Sequence, residues 1–355
     1  MGNLPIMVVE VIMGFCDWLK DLLGLKPSTV EPCDYEIPEP VIPTPEPEPI
    51  PDPIPDPIPE PEPVPPPDPE FDGSEDIITD PIDPPYKPRK YALLVGINNM
   101  AEPGSELSGC INDVTNMRDT LHYTFGFDTG NILTLTDETA TQGNILKGLE
   151  DMISMAKEGD ELVFHYSGHG SQVLDANGDE LNDWLDEILC PYDMDWSDPL
   201  TDDILASIFK KLPEGANLTF ICDACNSGTM TRDLRNTKNR RKFLQPPAHI
   251  MNRISKPNMP IKKIGMTGRS QSKLNHVLLS GCRDDQSSAD AYIDGQYQGA
   301  LSYSVITAIG FDPDRNWINV HQEVCQILTN YGFDQEPQLS GRDSLISDRN
   351  IFGGR

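Results

Sequence analysis

Between Glu31 and Tyr86 the chain has no lysine and no arginine, against 17 acidic residues. The whole chain carries 27 basic and 57 acidic side chains, a formal net charge of -30. Nucleic-acid binding needs a basic patch to neutralise phosphates, so this balance argues against that class of partner. Also missing is an uninterrupted run of about 20 apolar residues, the length needed to span a bilayer. The apolar N-terminal stretch is broken by Glu10, Asp17, Lys20 and Asp21. It lacks the basic start and small-residue cleavage site of a secretory signal. After Met1-Gly2-Asn3, position 6 is Ile where a myristoylation signal wants Ser or Thr. The eight cysteines are scattered through 355 residues. No second C-x-x-C accompanies Cys222 and Cys225, so neither a small disulfide scaffold nor a four-ligand zinc site is expected.

What is present falls into three parts. In residues 1–25, Val8, Val11, Ile12, Phe15, Trp18, Leu19 and Leu22 recur at helical spacing, with Glu10, Asp17 and Asp21 on the other side. This predicts an amphipathic helix that packs on the remainder of the protein or docks a partner; its acidic face disfavours anionic lipid. Residues 26–87 read as a disordered linker. From Pro38 to Pro69 a proline falls at nearly every second position. Proline fixes φ and lacks the amide proton, so helix and sheet are excluded and an extended polyproline conformation is expected. Residues 88–355 read as the globular domain. Apolar runs at Tyr91–Ile97, Asn131–Thr136, Glu161–Tyr166 and Asn217–Cys222 alternate with helical patterns at Cys110–Phe125, Thr141–Lys157 and Asp202–Leu212. Such alternation predicts an α/β fold with a mostly parallel sheet covered on both faces. A basic stretch, 232–272, interrupts the pattern and reads as a mobile loop; a strand at His276–Ser280, helices at Leu301–Ile309 and Val320–Tyr331, and a strand at Gln338–Leu339 complete the domain.

The chemistry is concentrated at two strand ends. His165-Tyr166-Ser167-Gly168-His169-Gly170 follows one buried run and Asp223-Ala224-Cys225-Asn226-Ser227-Gly228 follows another. Open α/β sheets place ligands at the C-terminal ends of their strands. His169 and Cys225 are therefore expected to meet there, the imidazole lowering the thiol pKa and carrying its proton to a leaving group. His165, within the strand, reads as structural. The competing reading of Cys225 is a buried core thiol or half of a redox pair with Cys222.

Together with Tyr91–Ile97, Leu107–Asp113, Leu278–Cys282 and Gly299-Ala300, these motifs, in this order, make residues 88–355 resemble the caspase-like cysteine peptidases, and within them the metacaspases, type I-like with a Pro-rich N-terminal region. Where the commonest family form has His after the catalytic Cys, this chain has Asn226. The resemblance implies a caspase-like three-layer sandwich and a cysteine endopeptidase that cleaves after Arg or Lys; a thiol nucleophile favours a reducing compartment, so a cytoplasmic location is expected. It implies a catalytic pair of His169 and Cys225, an oxyanion site at the amides of Gly170 and Cys225, and a substrate pocket of Cys110, Asp113, Ser167 and Asp223. Buried carboxylate suits such a pocket, because a cation is costly to desolvate unpaired. The resemblance also implies activating calcium at Asp186, Asp202, Asp203 and Asp233. Asp175, Asn177, Asp179 and Glu180 look like the start of a calcium loop, but its twelfth position falls on Asp186 and not Glu, so an EF-hand is not expected. Lys238, Arg240, Arg241, Lys242 and Arg253 offer bonds for self-cleavage in exposed chain. The alternative is a catalytically silent scaffold acting through its N-terminal helix and linker.

Overall fold

The computed structural model describes residues 86–174, 185–225, 239–250, 274–283 and 286–354. The expected N-terminal helix, linker residues 26–85, Asp233, the candidate cleavage residues Lys238 and Arg253, and the calcium-loop-like residues 175–180 lie outside them. The centre is a six-stranded sheet built from β1 (Lys90–Gly96), β2 (Ile132–Thr136), β3 (Glu161–Ser167), β7 (Asn217–Asp223), β9 (Val277–Ser280) and β12 (Gln338–Ser340). Their order is β12-β9-β7-β3-β1-β2, and all neighbours are parallel except β12 with β9. β3 is buried along its whole length and β1 and β7 along all but their first residue, as continuous apolar runs demand when helices cover both faces.

Alternating side chains divide the core into two layers. Tyr91, Leu93, Val95, Leu162, Phe164, Leu218 and Phe220 pack with helices α2 (Gln142–Met155) and α3 (Asp202–Phe209). Ala92, Leu94, Val163 and Ile221 pack on the opposite face with α1 (Cys110–Tyr123), α4 (Ala300–Phe311) and α5 (Trp317–Asn330). This is the expected three-layer arrangement. Each large side chain so buried contributes about 1.5–3 kcal/mol, which makes the central strands a rigid mount for whatever follows their ends. Two small sheets escaped the sequence reading. One joins β4 (Gly170–Leu174), β5 (Leu185–Leu189) and β6 (Leu200–Thr201), all antiparallel. The other joins β8 (Arg240–Arg241), β10 (Ala289–Ile293) and β11 (Gln296–Gly299). Both lie next to the C-terminal ends of β3 and β7 in sequence or by hydrogen bond. No helix among the described residues is long and apolar enough to cross a membrane.

Candidate active site

Parallel pairing sets Ser167, the last residue of β3, beside Asp223, the last of β7. His169 and Cys225 each follow two residues later, so one register brings both predicted catalytic residues to the same sheet edge. Both are buried, His169 at 4% exposure and Cys225 at 0%. His169 Nε2 lies 2.6 Å from the carbonyl oxygen of Ser105. A carbonyl only accepts, so Nε2 carries the ring proton and Nδ1 the free lone pair. Burial depresses the His169 pKa below the ordinary imidazole value, against the pull of the Ser105 hydrogen bond. The Cys225 thiol donates to the Ser288 carbonyl at 3.2 Å and accepts from the Ser288 N–H. The Cys282 thiol donates to the Gln286 carbonyl at 3.4 Å. Cys222 packs in the apolar layer with Phe220 and Ala224, as its place inside the strand suggested.

The four residues expected to form the pocket do come together. Asp113 sits in the first turn of α1, where the helix dipole favours an anion. It accepts from Ser167 Oγ at 2.6 Å and from the Gly299 N–H at 2.9 and 3.0 Å. Asp223 accepts from Ser288 Oγ at 2.5 Å and from the Ser302 N–H and Oγ at 3.0 and 2.7 Å. Cys110 is fully buried beside Ser167. Gly299 forms a wall that only glycine can form: a Cβ there would stand 2.0 Å from Asp223 Oδ2 and 2.7 Å from Asp113 Oδ2. Behind the pocket, His165 Nε2 lies 3.0 Å from Ser302 Oγ. Since that hydroxyl donates to Asp223, His165 must donate to it. Burial pushes the His165 pKa down to about 3, so the ring is a neutral donor that fixes the serine, in keeping with its structural reading.

Lys242 fills the pocket. Its Nζ is 3.0 Å from Asp223 Oδ2, 3.3 Å from Asp113 Oδ2 and 2.8 Å from Ser167 Oγ. Exposure of this lysine is 0%, which corrects the expectation that the basic residues of the 232–272 stretch are uniformly exposed. Burial alone would strip its proton, but the carboxylates of Asp223, Asp113 and Asp290 outweigh that and hold its pKa well above the ordinary lysine value. Burial also raises both carboxylates. In Asp113 it wins and lifts the pKa to about 6. In Asp223 the lysine and the hydroxyl and amide donors of Ser288 and Ser302 win, and the pKa stays below the ordinary value. All three groups are thus ionised at neutral pH.

The backbone of the same segment is held just as closely. The Lys242 carbonyl accepts from the Gly170 N–H at 2.9 Å and the Cys225 N–H at 3.2 Å. These are the two amides expected to hold an oxyanion. The Lys242 N–H donates to Ser288 O at 3.1 Å, and Arg240 and Arg241 pair with Asp290 and Ala289 as an antiparallel strand. After Lys242, the Leu244 N–H donates to Gly170 O at 2.9 Å and Ser171 Oγ donates to Leu244 O at 2.7 Å. Residues 240–244 therefore lie across the site with the Lys242 carbonyl at the amides of Gly170 and Cys225. Sequence reasoning named Lys242 only as one of five basic candidates. It missed Ser105 entirely, because a backbone carbonyl has no residue signature, and it missed Ser288 and Ser302.

The expected calcium ligands are partly placed. Asp186 lies on β5 and is buried, while Asp202 and Asp203 open α3 directly after β6. β5 and β6 pair through Ile188↔Thr201, so Asp186 stands two residues before that rung and Asp202 directly after it. Their donors are all carboxylate oxygens, the chemistry a hard cation takes. Among the described residues, however, no group of three or more His, Cys, Asp or Glu side chains is arranged to hold a metal ion.

A model of the metacaspase peptidase C14 domain matches residues 90–234. The chain is 34% identical over 287 residues to the metacaspase-1 of Debaryomyces hansenii, covering 71% of this chain and 64% of that protein. It is 33% identical to the metacaspase-1 of Scheffersomyces stipitis, covering 71% and 70%, and 32% identical to that of Meyerozyma guilliermondii, covering 74% and 71%. The chain thus spans about two thirds of the length of these curated relatives. A solved protein of Geobacter sulfurreducens aligns over 76% of this chain and 100% of its own at TM-score 0.56 and 22% identity, a likeness of fold.

Proposed function

From the premise that the chain belongs to the metacaspase family of cysteine peptidases, we propose that it is a calcium-activated endopeptidase that cleaves after Lys or Arg and processes its own chain after Lys242. One observation carries the reading. The Lys242 ammonium is held between Asp113 and Asp223 while its carbonyl takes the Gly170 and Cys225 amides. An unreacted substrate of that specificity would be held in the same way.

The chemistry follows from the atoms present. Cys225 Sγ attacks the carbonyl carbon, and the thiol proton passes to Nδ1 of His169, the nitrogen that the Ser105 carbonyl leaves free. The oxygen gains charge between two amides already pointing at it, the preorganised stabilisation that is worth most in a desolvated site. His169 then protonates the leaving amine, and water, deprotonated by the same nitrogen, hydrolyses the thioester. The thiol must first turn from Ser288 toward the imidazole. His169 must be neutral to accept its proton, and burial lowers its pKa. The acid limb of kcat/KM is therefore expected below pH 6.5, with activity lost as pH falls through the depressed value; a limb above 6.5 would contradict this role.

For calcium, Asp186, Asp202 and Asp203, with Asp233, would hold the ion. Bound there, it would supply positive charge that draws mutually repelling carboxylates together. The link to the site is β5: Val173↔Asp186 and Gly170↔Leu189 are rungs of one ladder. Fixing Asp186 would therefore fix the strand that begins with the Gly170 amide. Activity is expected to require roughly millimolar calcium, to vanish with chelator, and to weaken in Asp202→Ala and Asp203→Ala. Full activity in excess chelator would sink the calcium role alone. The specificity is tested by short fluorogenic peptides ending in Lys, Arg or Asp. Cleavage of the first two only is expected, and efficient cleavage after Asp would overturn it. A silent scaffold would cleave none.

A further inference from the structure

We propose that Asp137 is a positioning residue for the catalytic imidazole: its carboxylate clamps the neck of the loop 98–107 and so aims the Ser105 carbonyl at His169. This rests on reading His169 as the base. β1 and β2 end together on the rung Gly96↔Thr136, so the chain leaving each strand emerges at one place on the sheet edge. One residue past the rung, Asp137 turns at φ +40°, a conformation that Asp and Asn tolerate better than most side chains. Its carboxylate meets the start of the loop. Oδ1 accepts from the Asn98 and Asn99 N–H groups at 2.8 and 3.0 Å, and Oδ2 accepts from Asn99 Nδ2 at 2.8 Å. The turn is itself fastened by Thr139 Oγ1, which accepts from the Thr136 N–H and donates to the Thr136 carbonyl, both at 2.8 Å.

The loop needs such a clamp. No helix or strand carries residues 97–109, and residues 101–104 and 106 are exposed. Asn98 closes the neck: its carbonyl accepts from the Leu107 N–H at 2.8 Å, and its side-chain oxygen accepts from the Cys110 N–H at 2.8 Å, at the start of α1. A second tie leads back to the same turn. The Ala101 N–H donates to Tyr192 O, the Tyr192 N–H to Ala140 O and the Ala140 N–H to Asp137 O, at 2.9, 3.0 and 2.8 Å. The Ser105 hydroxyl donates to Met100 Sδ at 3.7 Å, a contact inside the loop that anchors it to nothing beyond. The placement matters because the Ser105 carbonyl takes the proton of His169 Nε2, while Nδ1 is buried with no hydrogen-bond partner among the described residues. A neutral imidazole carries one ring proton. If the carbonyl drifts, that proton is free to move to Nδ1, and the ring can no longer accept the thiol proton there.

The test uses the full chain carrying Lys242→Ala, with calcium and a short fluorogenic peptide ending in Lys. Asp137→Gly removes the carboxylate yet suits the positive φ, so the turn keeps its shape. It should lower kcat about 10- to 100-fold, the cost of a misplacement near 1 Å, with KM changed by less than about threefold. Asp137→Asn keeps one oxygen for the two backbone donors and should hold kcat within about threefold of the parent. With histidine rings labelled by nitrogen-15, the parent and Asp137→Asn should show His169 protonated at Nε2, and Asp137→Gly a mixture of both tautomers. Asn98→Ala should raise KM as well as lower kcat, because Asn98 also holds the start of α1, which carries Asp113. A folded Asp137→Gly chain with unchanged kcat would overturn the proposal, and so would a loss of kcat with His169 still wholly protonated at Nε2. A parent chain that cleaves peptides ending in neither Lys nor Arg would overturn the reading of His169 as base and the proposal with it.

Discussion

Incubated with calcium, the wild-type chain should be cut between Lys242 and Phe243, and the Cys225→Ala chain should keep its full mass. The bond already has its carbonyl on the Gly170 and Cys225 amides and its side chain in the carboxylate pocket. Such prior placement removes the entropy of a bimolecular encounter, worth about 7–11 kcal/mol in well-oriented systems. The cut should therefore be intramolecular, with a half-life that does not change on tenfold dilution. Lys242→Ala should survive at this bond. It should also cleave added peptides from the first seconds, whereas the wild type should show a lag while its own segment is cut and released. Cleavage at Lys238 or Arg253 with Lys242–Phe243 intact would contradict the register, as would a rate proportional to protein concentration.

The second large effect is expected at the pocket floor. Asp223→Asn keeps the shape that Ser288 and Ser302 grip but removes the charge facing the substrate cation. Removing one member of a buried ion pair costs about 3–5 kcal/mol, and each 1.4 kcal/mol is about tenfold. In the Lys242→Ala background, kcat/KM for Lys and Arg peptides should drop by about 100- to 4,000-fold. Asp113→Asn should do the same, less severely, because its own pKa is already raised to about 6. That background matters: with Lys242 present, the substitution would also strand a buried lysine. Thermal unfolding of each variant separates a folding defect from a binding one. A folded Asp223→Asn chain with unchanged kcat/KM would refute the pocket.

Much of this was legible in the residues. The central strands announce themselves because both faces are covered and their middles are largely apolar, as in Ala92–Val95, Leu162–Phe164 and Phe220–Ile221, and the strand-end motifs follow directly. The catalytic pair and the four pocket residues each carry a side chain suited to their place. The β10–β11 hairpin was readable too: Asp294 and Gly295, both at positive φ, are the two-residue turn that Asp-Gly favours, and the reading passed over it. What could not be read was structure created by the site itself. Arg240-Arg241 has no strand character and pairs with β10 beside the buried Lys242. Ser105 acts through its carbonyl, which any residue would supply. Which of five basic residues occupies the pocket depends on how the segment crosses the cleft, and composition is silent on that.

The central claim is that Cys225 attacks the carbonyl of a residue whose cation is held by Asp113 and Asp223. Its most direct test is labelling of the calcium-treated protein by two peptides with the same thiol-reactive ketone, one ending in Arg and one in Asp, followed by mass mapping of every cysteine. The Arg probe is expected to add once, on Cys225, and the Asp probe nowhere. Addition at Cys222 or Cys282 in place of Cys225, or equal labelling by the Asp probe, would contradict it.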